Sequence, residues 1–253
     1  MKSRKSIISA ILALTLSGCV IHVNGKTADV KMEKTLSVPS ENLSILGIDA
    51  GAGSLEIIGV DNATEIQVEA KIVTTKEKDF TLTLDTSGST AYLVAEHNSH
   101  SGFWNGSSPS IDLVVTMPKS LLLDIEDGSG EIQISDVNND IKIVDGSGST
   151  NINNIKGNVD IKDGSGSIVM AQIGGNVNID DGSGSITIAN VNGDLSIQDG
   201  SGGIDVLEVD GTVTIDDGSG DIDVNRAGGL KIVESGSGGL EVANVTGEVE
   251  IDD

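Results

Sequence analysis

Seven tandem units of 18 residues fill the C-terminal half of the chain, beginning at Asp127, Asp145, Asp163, Asp181, Asp199, Asp217 and Ser235 with no insertion between them. A constant period means that every copy makes the same supersecondary unit and buries its apolar side against its neighbours. Counting from the Asp as position 1, apolar residues recur at positions 6, 8, 11, 15 and 17, as in Ile186, Ile188, Val191, Leu195 and Ile197. Of these 35 slots, 33 are aliphatic, the exceptions being Thr150 and Lys231. The two-residue steps predict two short strands per unit, whereas the glycines at positions 2 and 4 would each cost a helix about 1 kcal/mol. The expected fold is all-β: a single-stranded parallel β-solenoid, or β-helix, of 18-residue coils. Coils about 4.8 Å apart would give the seven units a length of roughly 34 Å. The general chirality of parallel crossovers favours right-handed winding.

Stacking places identical residues above one another, so the Asp-Gly-Ser-Gly signature becomes a corner repeated along the rod. Its glycines suit a tight turn. The Asp and Ser side chains are expected to satisfy turn amides and one another. The alternative is cation binding at Asp127, Asp145, Asp163, Asp181, Asp199 and Asp217, because stacked carboxylates repel by ~1 kcal/mol even in water. The coil resembles the calcium β-roll of the RTX toxins, in which paired Gly-Gly-x-Gly-x-Asp nonapeptides hold the ion between turns. Here Ile186 follows Gly-Ser-Gly-Ser where that motif requires Asp. Calcium therefore stands beside protonation of the Asp column and diffuse counterions as an open alternative.

Unit six is irregular: Leu230 and Ile232 occupy slots that are polar elsewhere, and Lys231 falls where Val is usual. Taken literally, the period would turn Lys231 inward, which burial makes costly; a local bulge is the cheaper solution. The last coil carries Glu241, Glu248, Glu250, Asp252 and Asp253 with no basic residue, a charge load that opposes end-to-end stacking and predicts a monomer.

At the N-terminus, Lys2, Arg4 and Lys5 precede an apolar run from Ile7 to Leu16, followed by Leu16-Ser17-Gly18-Cys19. Ten apolar residues are too few to span a bilayer. The segment resembles the lipobox of bacterial lipoproteins, and Cys19 is the only cysteine. The resemblance implies removal of residues 1–18 as a signal peptide, lipidation of Cys19 and a membrane anchor made of several acyl chains. By the sorting pattern of such lipoproteins, Val20, standing where Asp would retain the protein at the inner membrane, implies the outer membrane of the cell envelope. Residues 19–35 are read as a lipidated tether. Loss of the leader takes the net charge from −24 to −27, which makes nucleic acid and anionic surfaces poor partners.

Residues 36–126 read as an irregular β region that begins the solenoid, and 127–253 as its regular part. Asp49 to Ile57 looks like a degenerate unit whose second strand is completed by Ile66 and Val68. Further strands are expected at Phe80 to Leu84, Tyr92 to Val94 and Ile111 to Val115, with Leu121 to Ile125 leading into the regular coils. One polar loop, residues 97–110, holds His97, His100, Phe103 and Trp104, the only Trp of the chain. Three readings are open: a cap on the edge of the solenoid, a contact for a surface glycan or protein, and a weak metal site at His97 and His100.

From about residue 36 onward, the degenerate Gly-Ala-Gly-Ser start, the Val-Thr-Met-Pro segment near Met117 and the Gly-Ser-Gly-x-Ile-x-Ile coils resemble the bacterial candidate-adhesin families of β-solenoid proteins of unknown function. That resemblance implies a fold and a surface location. The expected function is that of a non-enzymatic envelope lipoprotein, adhesin-like or structural, needing no cofactor. A calcium-binding β-roll-like surface protein is one alternative and a polysaccharide-active β-helix enzyme another. An enzyme acting on acidic sugars wants basic residues near substrate, and the arginines are Arg4 and Arg226 alone. An ice-binding surface needs a flat, uniform ladder, which position 16, running Lys142, Asp160, Asn178, Ser196 and Thr214, does not make.

Overall fold

The computed structural model describes residues 27–98, 104 and 106–252. Every element in it is a β-strand. Two-residue alternation with β-branched aliphatics at the buried positions makes the strands, and each strand turns its aliphatic row to one shared interior.

The N-terminal region contributes β1 (Val30–Pro39), β2 (Ile45–Ala52), β3 (Leu55–Val60), β4 (Glu65–Thr74), β5 (Phe80–Ser87), β6 (Thr90–His97) and β7 (Ser110–Pro118). The regular coils follow as β8 (Leu122–Val137), β9 (Ile141–Asp145), β10 (Gly148–Ile155), β11 (Val159–Asp163), β12 (Gly166–Ile173), β13 (Val177–Asp181), β14 (Gly184–Val191), β15 (Leu195–Asp199), β16 (Ile204–Asp217), β17 (Ile222–Glu234), β18 (Leu240–Val245) and β19 (Val249–Ile251). They pair in parallel, each residue against its counterpart one unit away, as in Ile168 with Ile186 and Ile179 with Ile197. The parallel solenoid with 18-residue coils is thus the fold.

The stacking order below the regular coils differs from chain order. β2 and β3 form the coil under β8, pairing Ile48 with Ile125 and Ile57 with Ile134. β6 and β7 form the coil beneath that one, parallel to β2 and β3. The chain then covers this end with antiparallel strands: β5 on β6, β4 on β7, and β1 on β4. Two expectations need correcting. Ile66 and Val68 are buried, but they lie on β4 in this antiparallel cap and do not complete the β2 coil. The segment read as tether through residue 35 also gives way to structure earlier, at Val30. In β1, Met32, Leu36 and Val38 pack against the core, an alternation too sparse to announce a strand by itself.

Unit six keeps its length of 18 by a compensated slip. Leu230 pairs with Val213 and Ile232 with Ile215, so both sit in core slots, and the register recovers when Val233 bulges outward between Ile232 and Glu234. Lys231 points out, against the literal reading of the period, and reaches Glu250 at 3.1 Å. The other exceptional slot, Thr150, is fully buried between Ile132 and Ile168, with no hydrogen-bond partner for its hydroxyl among the described residues. In the last coil, Leu240, Val249 and Ile251 are 37–48% exposed.

A second feature of every coil sits at position 10. Asp136, Asn154, Gln172, Asn190, Glu208, Arg226 and Asn244 all adopt φ between 57° and 65°. One left-handed residue lets the chain advance three positions, from slot 8 to slot 11, while both slots face inward. At the opposite corner the position 4 glycines take φ of 146–158° from Gly148 to Gly220. A Cβ on Gly184 would collide with the carbonyl oxygen of Gly166 in the coil below. Gly203, one residue past the corner, has nothing within 4 Å of such an atom. Gly184→Ala should therefore lower the free energy of unfolding by about 3 kcal/mol or more, combining strain with overpacking. Gly203→Ala should stay within about 0.5 kcal/mol of the parent in the same urea titration.

Candidate functional site

The Asp-Gly-Ser-Gly corners form a continuous column. At position 1 the strand alternation is still running, so Asp145 follows Ile141 and Ile143 into the interior. Asp127, Asp145, Asp163, Asp181, Asp199 and Asp217 stack in register and are at most 8% exposed. Below Asp127 the column continues as Ala50 and Ala95.

In five of the six, half of the carboxylate is accounted for. From Asp145 to Asp217, Oδ1 accepts the backbone N–H of the Ser two residues on, at 3.1–3.2 Å, closing an Asx turn. Backbone groups stitch the corners together: Gly164 N–H donates to the Asp145 carbonyl, and Gly166 N–H to the Ser183 carbonyl. The other oxygen, Oδ2, is buried in all six residues with no hydrogen-bond partner among the described residues. The expectation that these side chains satisfy turn amides holds for Oδ1 alone.

An ionised carboxylate in such a place is costly, so its protonated form is favoured. Burial, with the charge of Asp145 added, raises Asp127 to about 7. Burial first, then neighbouring carboxylates, raises Asp145 and Asp181 to about 6. Asp163, Asp199 and Asp217 are raised by the same desolvation. Among the described residues, no three His, Cys, Asp or Glu side chains come together in a way that could hold a metal ion.

The second candidate, Trp104, lies at the foot of this same column. Half-buried Trp104 lines a cleft of about 660 Å³ together with Pro109, Asp127 and Asp145, over a floor of Gly51, Gly128 and Gly146. The structure thus joins two features that are 23 residues apart in the chain. Three further carboxylates line it: Asp49, Glu96 and Glu126. The sequence does not mark these three as one site, because only the stacking of β6, β2 and β8 brings them together. A sequence signal existed for Glu126 alone, which stands beside the first Asp of the array. His97 also lines the cleft; it is buried, with its ring 6.1 Å from that of Phe80. Cys19, His100 and Phe103 lie outside the described residues.

Residues 44–252 match the family described as Toastrack DUF4097. No curated protein matches the chain. Among solved structures, the chain is similar to a candidate cell-adhesion protein of Clostridium sporogenes, with 13% identity over 88% of this chain and 99% of that one and a TM-score of 0.42. It is also similar to a candidate adhesin of Parabacteroides distasonis, at 12% identity over 90% and 99% with a TM-score of 0.38. For a candidate adhesin of Bacteroides fragilis the figures are 13%, 87%, 100% and 0.30. At such low scores and identities, the family match alone carries the assignment.

The buried column sets a pH dependence. The folded chain holds protons on Asp127, Asp145 and Asp181 that the unfolded chain, with ordinary carboxylates near 3.8, releases. This contribution to stability is fully present below about pH 4 and is lost as pH rises through 6 and 7. Asp181→Asn keeps an acceptor for Ser183 N–H and removes the charge. Urea titration should find it more stable than the parent by about 2 kcal/mol at pH 7.5 and by nothing at pH 4. An equal effect at both values would contradict the assignment.

Proposed function

The chain belongs to the Toastrack DUF4097 family, and from that premise we propose that it is a non-enzymatic, adhesin-like lipoprotein of the bacterial cell envelope. It is anchored through Cys19, at the outer membrane, and acts as a rigid β-solenoid that presents a binding surface to a glycan or protein.

The observation that carries this reading is the sequence Leu16-Ser17-Gly18-Cys19 followed, eleven residues later, by β1 at the capped end of the rod. The ten residues between Cys19 and Val30 reach at most about 36 Å when extended. Such a tether joins the membrane to the capped end and leaves the regular coils to project outward. The acidic surface, with 39 acidic against 15 basic residues over the whole chain, supports a soluble, solvated rod. The non-enzymatic reading draws on the use made of the repeats: their aliphatics fill the core and their glycines shape the corner. The distinctive side chains are left to the cleft at Trp104.

Metabolic labelling with radioactive palmitate in a bacterial host tests the anchor. The parent chain should take up label and partition with the outer membrane. Cys19→Ser should lose the label and leave the membrane fraction. A labelled Cys19→Ser chain, or an unlabelled parent, would contradict the proposal.

A further inference from the structure

The corner cleft has a one-sided chemistry. Asp49 and Glu126 are register neighbours on the outer face of β2 and β8, both exposed. Glu96 lies against Gly51 on the adjoining strand, where a Cβ built on that glycine would come 3.7 Å from the Glu96 Cα. None of the three carboxylates takes part in an ion pair among the described residues. No Lys or Arg among the described residues lines the cleft. Asp127 and Asp145 also line the cleft, from the inward-facing side of β8 and β9; both are more than nine-tenths buried, and the Oδ2 of each has no hydrogen-bond partner among the described residues. Trp104 and Pro109 give the cleft an apolar part, and Val144, 39% exposed, extends it one coil above Glu126, with which it pairs in register.

Ligand classes separate on these facts. An anion meets repulsion from every charged side chain of the cleft. A neutral saccharide could stack on Trp104, but it would leave the carboxylates repelling one another. A bare metal ion uses none of the apolar wall and little of the volume. An alkyl ammonium fits both sides: its stem covers apolar surface, and its head relieves the carboxylates and interacts with an indole face.

We propose that the Trp104 cleft is a binding site for a primary ammonium group on an alkyl chain, as carried by a lysine side chain of a partner protein. This inference rests on the reading of the chain as a binding module and names the group it recognises. Its test does not depend on the anchor, because the full chain can be studied in nonionic detergent whether or not Cys19 is lipidated.

Trp104 is the only Trp of the chain, so its fluorescence reports on this cleft alone. Titration with n-butylammonium chloride should change the emission saturably, with half-saturation in the millimolar range. Nα-acetyl-lysine amide should do the same, and sodium chloride of equal ionic strength should not. The double variant Asp49→Asn, Glu126→Gln changes only exposed side chains and should keep the parent's urea midpoint, while binding butylammonium about tenfold more weakly. A sodium chloride response equal to that of butylammonium would overturn the proposal in favour of diffuse counterions. Saturation by glucose without an ammonium response would overturn it in favour of a saccharide site. Parent-like affinity in the double variant, or no saturable ammonium response, would also overturn it. Palmitate labelling can fail without affecting any of these outcomes, and the reverse is equally true.

Discussion

Close approach of backbone to backbone at the glycine corner sets the architecture. At position 4, the Cβ of any other residue would occupy the space held by the carbonyl of the coil beneath, as for Gly184 above Gly166. Glycine there lets Gly166 N–H reach the Ser183 carbonyl at 2.9 Å and Gly182 N–H reach the Asp163 carbonyl at 2.9 Å. With the corner fixed, each strand has one available register, and a one-residue slip would turn its aliphatic row to solvent. Unit six shows how strongly that register is held. The shortened turn before Leu230 is corrected by a bulge at Val233 within four residues, so that Leu230 and Ile232 keep the core slots.

The same register has an electrostatic consequence. Because identical positions must coincide, six carboxylates are brought into one buried column, and burial there shifts each of them toward its protonated form. A polar ladder on another edge of the rod bonds coil to coil. At position 14 the side chains of Asp140, Asn158, Asn176 and Asp194 each accept the backbone N–H of the next coil at 2.7–2.9 Å. The Asp column differs in having one oxygen of each carboxylate left over. It ends at Ala50, in the coil made by β2 and β3.

Much of this was legible in the residues. The apolar slots predicted the strands, and the Gly-Ser-Gly run predicted a corner. The inward turn of the Asp column was also written there, since the alternation of positions 15 and 17 extends to the next position 1; reading Asp as a turn residue hid it. The left-handed residue at position 10 was implied by the three-residue step from slot 8 to slot 11, and by Asn154, Asn190 and Asn244 within it. The order of the first coils was not legible. Ile66 and Val68 alternate as well in the antiparallel β4 as they would in a coil, because periodicity reports which face is buried and not which strand lies alongside. The joining of Asp49, Glu96 and Glu126 beneath Trp104 depends on that order.

The central claim is that whole coils stack in a register fixed by the corner, so that the 18-residue unit is the quantum of the fold. Excision measures this most directly. Removing residues 163–180, one full unit, leaves Asp145 to Gly148 to stack against Asp181 to Gly184. The shortened chain should keep a β-sheet circular dichroism spectrum and a cooperative thermal transition. Removing residues 163–171, half a unit, would set a corner against a strand and should abolish the transition. Equal tolerance of both excisions, or loss of folding in both, would contradict the account.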